Sequence, residues 1–260
     1  MLVRTISALI GAPLFILMIY LGGAYTITLV VGLTILGLRE FLLMGKNLGV
    51  RPWPFLTFCV SVVWLGSIVY KGTEWMMVVL VIWLLVGMGR MALTYPKTTL
   101  SEVGFNLLAV FYAVVLLSHL YLLSQMPRGM EWVFFTLLLV WASDTGAYLT
   151  GRLIGKHLLA PKISPKKTIE GAVGGMVLSV IAAMIIWRLI SEGTWYIFVI
   201  LAVIISISAQ IGDLFESALK RSAGVKDSGK LIPGHGGILD RFDSLIFALP
   251  LVYYGLIILL

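Results

Sequence analysis

The stretch WMMVVLVIWLLVGMGRMAL, residues 75–93, decides the fold class, because Arg90 is the one charged side chain among its 19 residues. A helix needs roughly 20 mostly apolar residues to cross the hydrocarbon core of a bilayer. Further stretches of this kind occur along the whole chain, so we predict about nine transmembrane helices. The predicted spans are 6–22, 25–44, 55–70, 75–93, 103–123, 131–150, 169–190, 195–216 and 243–260.

The composition excludes a water-soluble globular domain. Of the 260 residues, 60% are hydrophobic and 12% are charged, whereas soluble domains carry about 25% charged residues. One water-soluble core cannot bury so much apolar surface. We therefore predict an all-α fold, a polytopic integral membrane protein.

The basic residues are distributed unequally between the two sides of the predicted membrane. Fifteen of the 19 Lys and Arg residues lie on one side, at the N-terminus, in the loops after spans two, four, six and eight, or, for Arg90, near the end of span four. The positive-inside rule makes that side cytoplasmic, so we expect a cytoplasmic N-terminus. Topology signalling alone would explain this bias, but it does not explain the carboxylates mixed into the same loops.

The ionisable residues divide the chain into two parts. Residues 1–130, with spans one to five, contain few such groups within the spans, and we predict a mainly structural role for them. Residues 131–260 contain acids within spans and dense charge in two cytoplasmic loops, 151–168 and 217–242. We predict that this second part is the catalytic region.

The first charged segment is WASDTGAYLTGRLIGK, residues 141–156, which places Asp144 in or near the end of span six. A carboxylate in a membrane costs about 3 kcal/mol on insertion scales, so it is expected to face a polar cavity. Tyr148 and Gly151 share its helical face. The alternative is a helix-end aspartate that bonds to a neighbour.

The second segment is APKISPKKTIEG, residues 160–171, in which two prolines favour an extended chain before span seven opens. Lys166 and Lys167 stand beside a helix start, where free N–H groups and the dipole favour an anion such as phosphate. Because lysine pairs are common at cytoplasmic helix starts, a simple topological role is the alternative.

The third segment, residues 210–244, is the richest in functional groups. Asp213, Glu216 or Ser217, and Lys220 share a helical face, and LIPGHGGILDRFDS follows at 231–244. The glycines around His235 permit backbone shapes that side chains forbid. Carboxylates suit Mg²⁺, and lysines and arginines neutralise phosphate. The combination favours nucleotide or phosphoryl chemistry at the membrane face, with a cation-coupled transporter as the alternative from another class.

The sequence from Ser217 to Asp243 resembles the signature of the phosphatidate cytidylyltransferases, also called CDP-diacylglycerol synthases. SALKR, then KD at 226–227, then LIPGHGGILDRFD fit that signature at every fixed position. SPKKTIEG, the Asp144 segment and LREFLLM in span two are also similar to this family. The similarity is to the bacterial type, because no long N-terminal extension precedes the first span.

The resemblance implies the reaction of CTP with phosphatidic acid to give CDP-diacylglycerol and pyrophosphate, with Mg²⁺ and with a second cation left open. It also implies a homodimer in the bacterial inner membrane, an active site facing the cytoplasm, and no nucleic-acid partner. A related CTP-dependent enzyme with another lipid acceptor, or with a kinase outcome, is the alternative.

Specific roles for the charged and glycine residues follow from this reaction. Asp213, Asp240 and Asp243 are the predicted metal ligands, and Asp144 binds substrate or completes the metal shell. His235 either donates a hydrogen bond to phosphate or braces its loop, and Lys226 with Asp227 either binds substrate or forms a solvated pair. The predicted catalytic cations are Lys166, Lys167, Lys220, Arg221 and Arg241, and the loop glycines predicted to approach substrate are Gly234, Gly236 and Gly237.

Overall fold

The computed structural model describes residues 2–190, 194–231, 234 and 236–259. The described chain is almost entirely helical, with one short hairpin between two long helices. The elements are α1 (Leu2–Leu21), α2 (Gly23–Asn47), α3 (Pro54–Lys71), α4 (Met76–Thr94), α5 (Leu100–Ser124), α6 (Gly129–Ile154), β1 (Leu158–Ala160), β2 (Ser164–Thr168), α7 (Ile169–Ile190), α8 (Trp195–Ser222) and α9 (Leu239–Leu259).

Eight of these helices, α2 to α9, are long and apolar enough to cross a membrane. This confirms the predicted all-α, polytopic membrane fold. The predicted first span coincides with α1, whose Leu9–Leu21 part is a shorter apolar helix. A total of nine spans therefore stays a prediction.

The helices near the predicted cytoplasmic loops are longer than the hydropathy of their sequences indicated. α6 continues to Ile154, α8 continues to Ser222, and α9 begins at Leu239. Hydropathy marks where a helix leaves the hydrocarbon, whereas backbone hydrogen bonds continue through polar residues beyond it. The predicted extended segment near Lys166 is strand β2, which pairs with β1 in antiparallel register, Leu158 opposite Thr168.

The chain divides into two compact units. The first comprises Met1–Leu122 and Ser222–Arg241, and the second comprises Leu123–Arg221 and Phe242–Leu260. The predicted division at residue 130 separates a structural part from a catalytic part of the chain. The two units are defined by contacts and do not test that division, which stays a prediction. The segment Ser222–Arg241 is part of the first unit together with the N-terminal helices. It carries most of the signature from Ser217 to Asp243, and we call it the signature loop.

In the first unit, aromatic packing fixes α2 against α5, and a buried polar bond joins α5 to the start of α3. The Phe41 ring lies 5.2 Å from the Phe105 ring and 5.6 Å from the Tyr112 ring, measured between centroids. Asn106, fully buried, accepts a hydrogen bond of 2.7 Å from the backbone N–H of Trp53. Such polar bonds between helices hold membrane proteins together where the hydrophobic effect between helices is weak.

In the second unit, small residues let α6 and α7 approach closely. The buried positions of α7 include Gly171, Gly175, Ser179 and Ala183, which repeat every four residues along one face. A Cβ at Gly175 would lie 2.6 Å from the carbonyl oxygen of Ser143 on α6. Close backbone packing of this kind is typical of small-residue motifs in membrane helices.

Candidate active site

Three carboxylates and two lysines of the second unit form a charged group, which we call the carboxylate–lysine cluster. It consists of Asp144 on α6, Lys167 on β2, Asp213 and Lys220 on α8, and Asp243 on α9. The three carboxylates interact electrostatically with one another, Asp144 also with Lys167, and Asp243 also with Lys220. The Lys167 ammonium lies 2.5 Å from Asp213 Oδ2. The structure therefore brings together predicted site residues from four separate elements.

The carboxylates of this cluster are accessible in the isolated chain. The Asp213 side chain is 35% exposed and that of Lys167 is 28% exposed. Asp144 is exposed and Asp243 is half-buried. The described residues therefore do not fully enclose these side chains.

A glycine contact brings α8 and α9 together at the cluster. Gly212 is buried, and a Cβ at that position would collide with the carbonyl oxygen of Asp243 and lie 3.1 Å from the Phe247 ring. The rings of Phe215 and Phe247 pack 5.6 Å apart one turn further on. This close approach places Asp213, the neighbour of Gly212, beside Asp243.

A polar network ties α6, α7 and α8 together next to Asp144. The hydroxyl oxygens of Ser143 on α6 and Ser206 on α8 lie 2.8 Å apart. The Gln210 amide donates to Ser206 Oγ at 3.1 Å and to the carbonyl of Ala172 on α7 at 3.1 Å. Because Ser143 directly precedes Asp144, the network holds the helix backbone next to that residue.

Lys220 is held by a buried partner one turn earlier on α8. The Glu216 side chain is fully buried and forms an ion pair with the Lys220 ammonium, whose side chain is 13% exposed. Ser217 Oγ donates to Asp213 Oδ1 at 3.3 Å. These four residues thus share one helical face, as predicted. Ser217 contacts Asp213, and Glu216 contacts Lys220.

The hairpin that carries Lys167 is fastened to the start of α7 by Glu170. The Glu170 carboxylate accepts hydrogen bonds from the backbone N–H groups of Lys156, at 3.0 Å, and His157, at 3.1 Å. His157 Nδ1 lies 2.5 Å from Glu170 Oε1. Lys166 is exposed beside Lys167 on the same strand, and neighbouring strand residues point to opposite faces.

Arg221 lies at the end of α8, and the structure places it against the hairpin turn. Its Nε donates to the carbonyl oxygen of Ile163 at 3.5 Å, and its side chain is otherwise exposed. The structure therefore leaves the guanidinium of Arg221 accessible to a phosphate. Its predicted role in phosphate binding stays a prediction.

In the first unit, Asp240 organises the signature loop. Its Oδ2 accepts hydrogen bonds of 2.8 Å from the backbone N–H of Ser228, 2.9 Å from Ser228 Oγ and 2.8 Å from the backbone N–H of Gly237. Sequence reasoning did not identify Ser228 as part of the site. The predicted role of Asp240 as a metal ligand stays a prediction, next to this observed role in the loop.

Sequence reasoning also missed Glu40 on α2, which is 5% exposed and contacts the same loop. Its carboxylate accepts hydrogen bonds from Ser228 Oγ and from the backbone N–H groups of Ile238 and Leu239. The signal was available, because an acid within a membrane helix is expensive and marks a functional position.

The glycines of the loop adopt the backbone shapes that the sequence predicted for them. Gly234 has φ of 78° and Gly236 has φ of 86°, both in the region that favours glycine. A Cβ at Gly237 would collide with Ser228 Oγ and with the Glu40 carboxylate. Their predicted contact with substrate stays a prediction.

The other predicted residues of this loop differ in accessibility. Lys226, Asp227 and Arg241 are exposed. His235 lies outside the described residues, so both of its predicted roles remain open. The three described side chains, Lys226, Asp227 and Arg241, are therefore accessible to solvent.

The carboxylate–lysine cluster fits a hard divalent cation by the chemistry of its donors. Mg²⁺ is usually held by one or two carboxylates together with waters and substrate phosphates, and Asp213 and Asp243 offer accessible oxygens of this type. Among the described residues, no three His, Cys, Asp or Glu side chains lie close enough to hold a metal ion by themselves. A cation here would complete its shell with waters or with substrate oxygens.

Comparison with known proteins agrees with this geometry. Residues 2–259 match the cytidylyltransferase family. A phosphatidate cytidylyltransferase of Staphylococcus haemolyticus is 35% identical over 263 aligned positions, which cover 97% of each chain. One from Staphylococcus aureus is 36% identical over 259 positions, again with 97% of each chain covered. The chain therefore belongs to the cytidylyltransferase family.

Proposed function

We propose that the chain transfers the cytidylyl group of CTP to phosphatidic acid, with CDP-diacylglycerol and pyrophosphate as products. One observation carries the proposal: relatives named phosphatidate cytidylyltransferase match the chain from end to end at 35% and 36% identity. The carboxylate–lysine cluster supports it independently, because accessible acids and bases in one group suit the binding of phosphate with a divalent cation.

In the proposed reaction, a phosphate oxygen of phosphatidic acid attacks the α-phosphorus of CTP. A new P–O bond forms there, the bond from the α-phosphorus to the bridging oxygen of the β-phosphate breaks, and pyrophosphate leaves with that electron pair. A phosphomonoester has a second pKa of about 6 and is largely ionised at neutral pH. The reaction therefore needs no strong general base, and the main barrier is repulsion between two anions.

The side chains of the cluster suit this task of neutralisation and positioning. Lys167 and Lys220 would hold phosphate oxygens of CTP or of the lipid. Bound Mg²⁺, held by Asp213 and Asp243, would neutralise the triphosphate, and a metal-binding role for Asp240 stays a prediction. Lys166, Arg221 and Arg241 are accessible cations that complete the proposed phosphate contacts.

We also propose that the protein is a homodimer in the bacterial inner membrane, with its active site facing the cytoplasm. The excess of Lys and Arg in alternate loops supports this orientation. CTP is a water-soluble cytoplasmic nucleotide, and phosphatidic acid stays in the bilayer. A polar site near the ends of spanning helices would give both substrates access.

The experiment that tests the proposal measures pyrophosphate release by the purified protein in detergent. We expect release when CTP, phosphatidic acid and Mg²⁺ are all present, and none when any one is omitted or when a chelator removes the metal. Release without a lipid acceptor, or none with all three components, would contradict the proposal. Turnover with another lipid phosphate would favour a related enzyme, and ion flux in proteoliposomes without nucleotide turnover would favour a transporter.

A further inference from the structure

The Glu40 side chain is a buried carboxylate that reaches from α2 to the start of α9. Oε1 accepts a hydrogen bond of 2.9 Å from the backbone N–H of Ile238, and Oε2 accepts one of 3.0 Å from the backbone N–H of Leu239. The first N–H groups of a helix have no partner within it, and negative charge near them is favourable. Glu40 thus caps α9 from a helix about 200 residues away in sequence.

The same carboxylate is linked to Asp240 through Ser228. Ser228 Oγ lies 3.0 Å from Glu40 Oε2 and 2.9 Å from Asp240 Oδ2. It also accepts a hydrogen bond of 3.3 Å from the Asp240 backbone N–H. A hydroxyl has one proton, so it donates to one carboxylate at a time. Glu40, Ser228 and Asp240 therefore form one connected group, which we call the loop latch.

The backbone around the loop latch packs closely against Glu40 at two glycines. A Cβ at Gly229 or Gly237 would collide with the Glu40 carboxylate. On α2, one turn before Glu40, a Cβ at Gly37 would lie 3.0 Å from the Leu239 side chain. The absence of a side chain at Gly229 and Gly237 therefore lets the loop backbone lie directly against the Glu40 carboxylate.

We infer that Glu40 is a positioning residue, which holds the signature loop in the conformation that presents Asp240 and Arg241 to the cation and phosphates of the substrate. The inference rests on the proposed function for the role of Asp240 and Arg241. It assigns to α2, in the part of the chain predicted to be mainly structural, control over the geometry of the loop. Glu40 acts through the groups that it contacts, Ser228, Ile238 and Leu239.

The variant Glu40→Gln isolates this role with almost no change in volume. The carboxylate accepts hydrogen bonds on both oxygens, whereas an amide offers one oxygen and one NH₂ group. The NH₂ group must face a backbone N–H or the Ser228 hydroxyl, so at least one of the three bonds is lost. The loop then leaves its docked conformation more often, while the apolar packing of α2 stays unchanged.

Two measurements on Glu40→Gln test the inference. Hydrogen exchange by mass spectrometry should show faster exchange, by about tenfold, in a peptide that covers residues 228–240, with unchanged exchange in α3. In steady-state kinetics the KM for CTP should rise by about tenfold with kcat retained, because saturating substrate restores the docked loop. Unchanged exchange in this peptide, or unchanged KM in a folded variant, would overturn the inference.

Glu102→Gln is the matched control. Glu102 is also a buried acid of the first unit, and it caps the start of α5 through a capping box with Thr99. Glutamine is accepted at that position of a capping box, so exchange in residues 228–240 and the KM for CTP should both stay at their original values. A tenfold rise in KM in this control as well would show that any loss of a buried acid produces the effect.

A second variant and a second readout keep the test decisive. If Glu40→Gln does not fold, Glu40→Asp retains both oxygens and the charge but is one methylene short, and it should show the same changes. The exchange measurement needs no turnover. A wild-type protein that is inactive with CTP and phosphatidic acid would count against the proposed function, while the exchange result would still decide whether Glu40 holds the loop.

Discussion

The Lys167 ammonium lies 2.5 Å from Asp213 Oδ2, so a hairpin lysine and an aspartate of a spanning helix neutralise each other at the centre of the carboxylate–lysine cluster. In the proposed reaction each of them gains a new partner. The lysine ammonium would pair with a phosphate and the aspartate carboxylate would bind the cation, so both charges would stay compensated when substrate binds. In the proposed reaction, this exchange of partners would offset the insertion cost of an acid in a membrane helix.

Asp213→Asn should lower turnover by at least about a hundredfold, because an amide cannot supply the negative oxygen that a divalent cation requires. The variant should retain its helix content and its solubility in detergent. Glu131→Gln is the control, since Glu131 forms an exposed ion pair with Arg128 at the start of α6, outside the carboxylate–lysine cluster. Retained turnover in a folded Asp213→Asn protein would contradict the metal assignment.

Lys167→Gln should lower kcat/KM for CTP more than Lys166→Gln does, by about tenfold. Lys167 is the residue that contacts Asp213, whereas Lys166 is exposed beside it on β2. Side-by-side kinetics of the two variants provide the comparison. Equal losses would show that the two lysines act as a general basic surface, and the specific role of Lys167 would then be wrong.

Gly212→Ala should reduce both activity and stability. The added Cβ collides with the carbonyl of Asp243 and forces α8 away from α9, and overpacking of this kind typically costs about 1–3 kcal/mol. Gly32→Ala on α2 is the control, because nothing lies within 4 Å of the added atom. Thermal unfolding in detergent and pyrophosphate release measure the two effects, and an unaffected Gly212→Ala protein would disprove the close contact.

The orientation can be tested with single cysteines, since Cys59 is the one cysteine of the chain. In a Cys59→Ser background, Thr73→Cys should react with a membrane-impermeant maleimide in intact spheroplasts. Lys162→Cys, in the hairpin turn, should react only after the membrane is permeabilised. The opposite pattern would place the charged loops outside and would overturn the proposed cytoplasmic site.

The sequence predicted the spans well because membrane insertion depends on the hydropathy of each segment by itself. It also singled out Asp144 and Asp213, which the structure brings into one cluster, since an acid inside an apolar run is visible without knowledge of the fold. The start of α7 at Ile169 agreed with the predicted opening of span seven at Thr168–Glu170. These features are local, and local sequence contains the information that determines them.

Features that depend on distant partners were not predicted. Glu40 is visible in LREFLLM as an acid within an apolar span, but its partners lie close to 200 positions further along the chain, so the sequence does not show what it contacts. The β1–β2 pairing was missed because the two prolines indicate an extended chain but not which segment pairs with it. The ion pair of Lys167 with Asp213 likewise arises when the hairpin folds back towards α8.

The most direct test of the proposed function follows the phosphorus atoms of CTP. The purified protein is given phosphatidic acid, Mg²⁺ and CTP labelled either at the α-phosphorus or at the γ-phosphorus, and the lipid is then extracted and counted. We predict that the α label enters the lipid and that the γ label leaves as pyrophosphate. Transfer of the γ label to the lipid, or of neither label, would contradict the account.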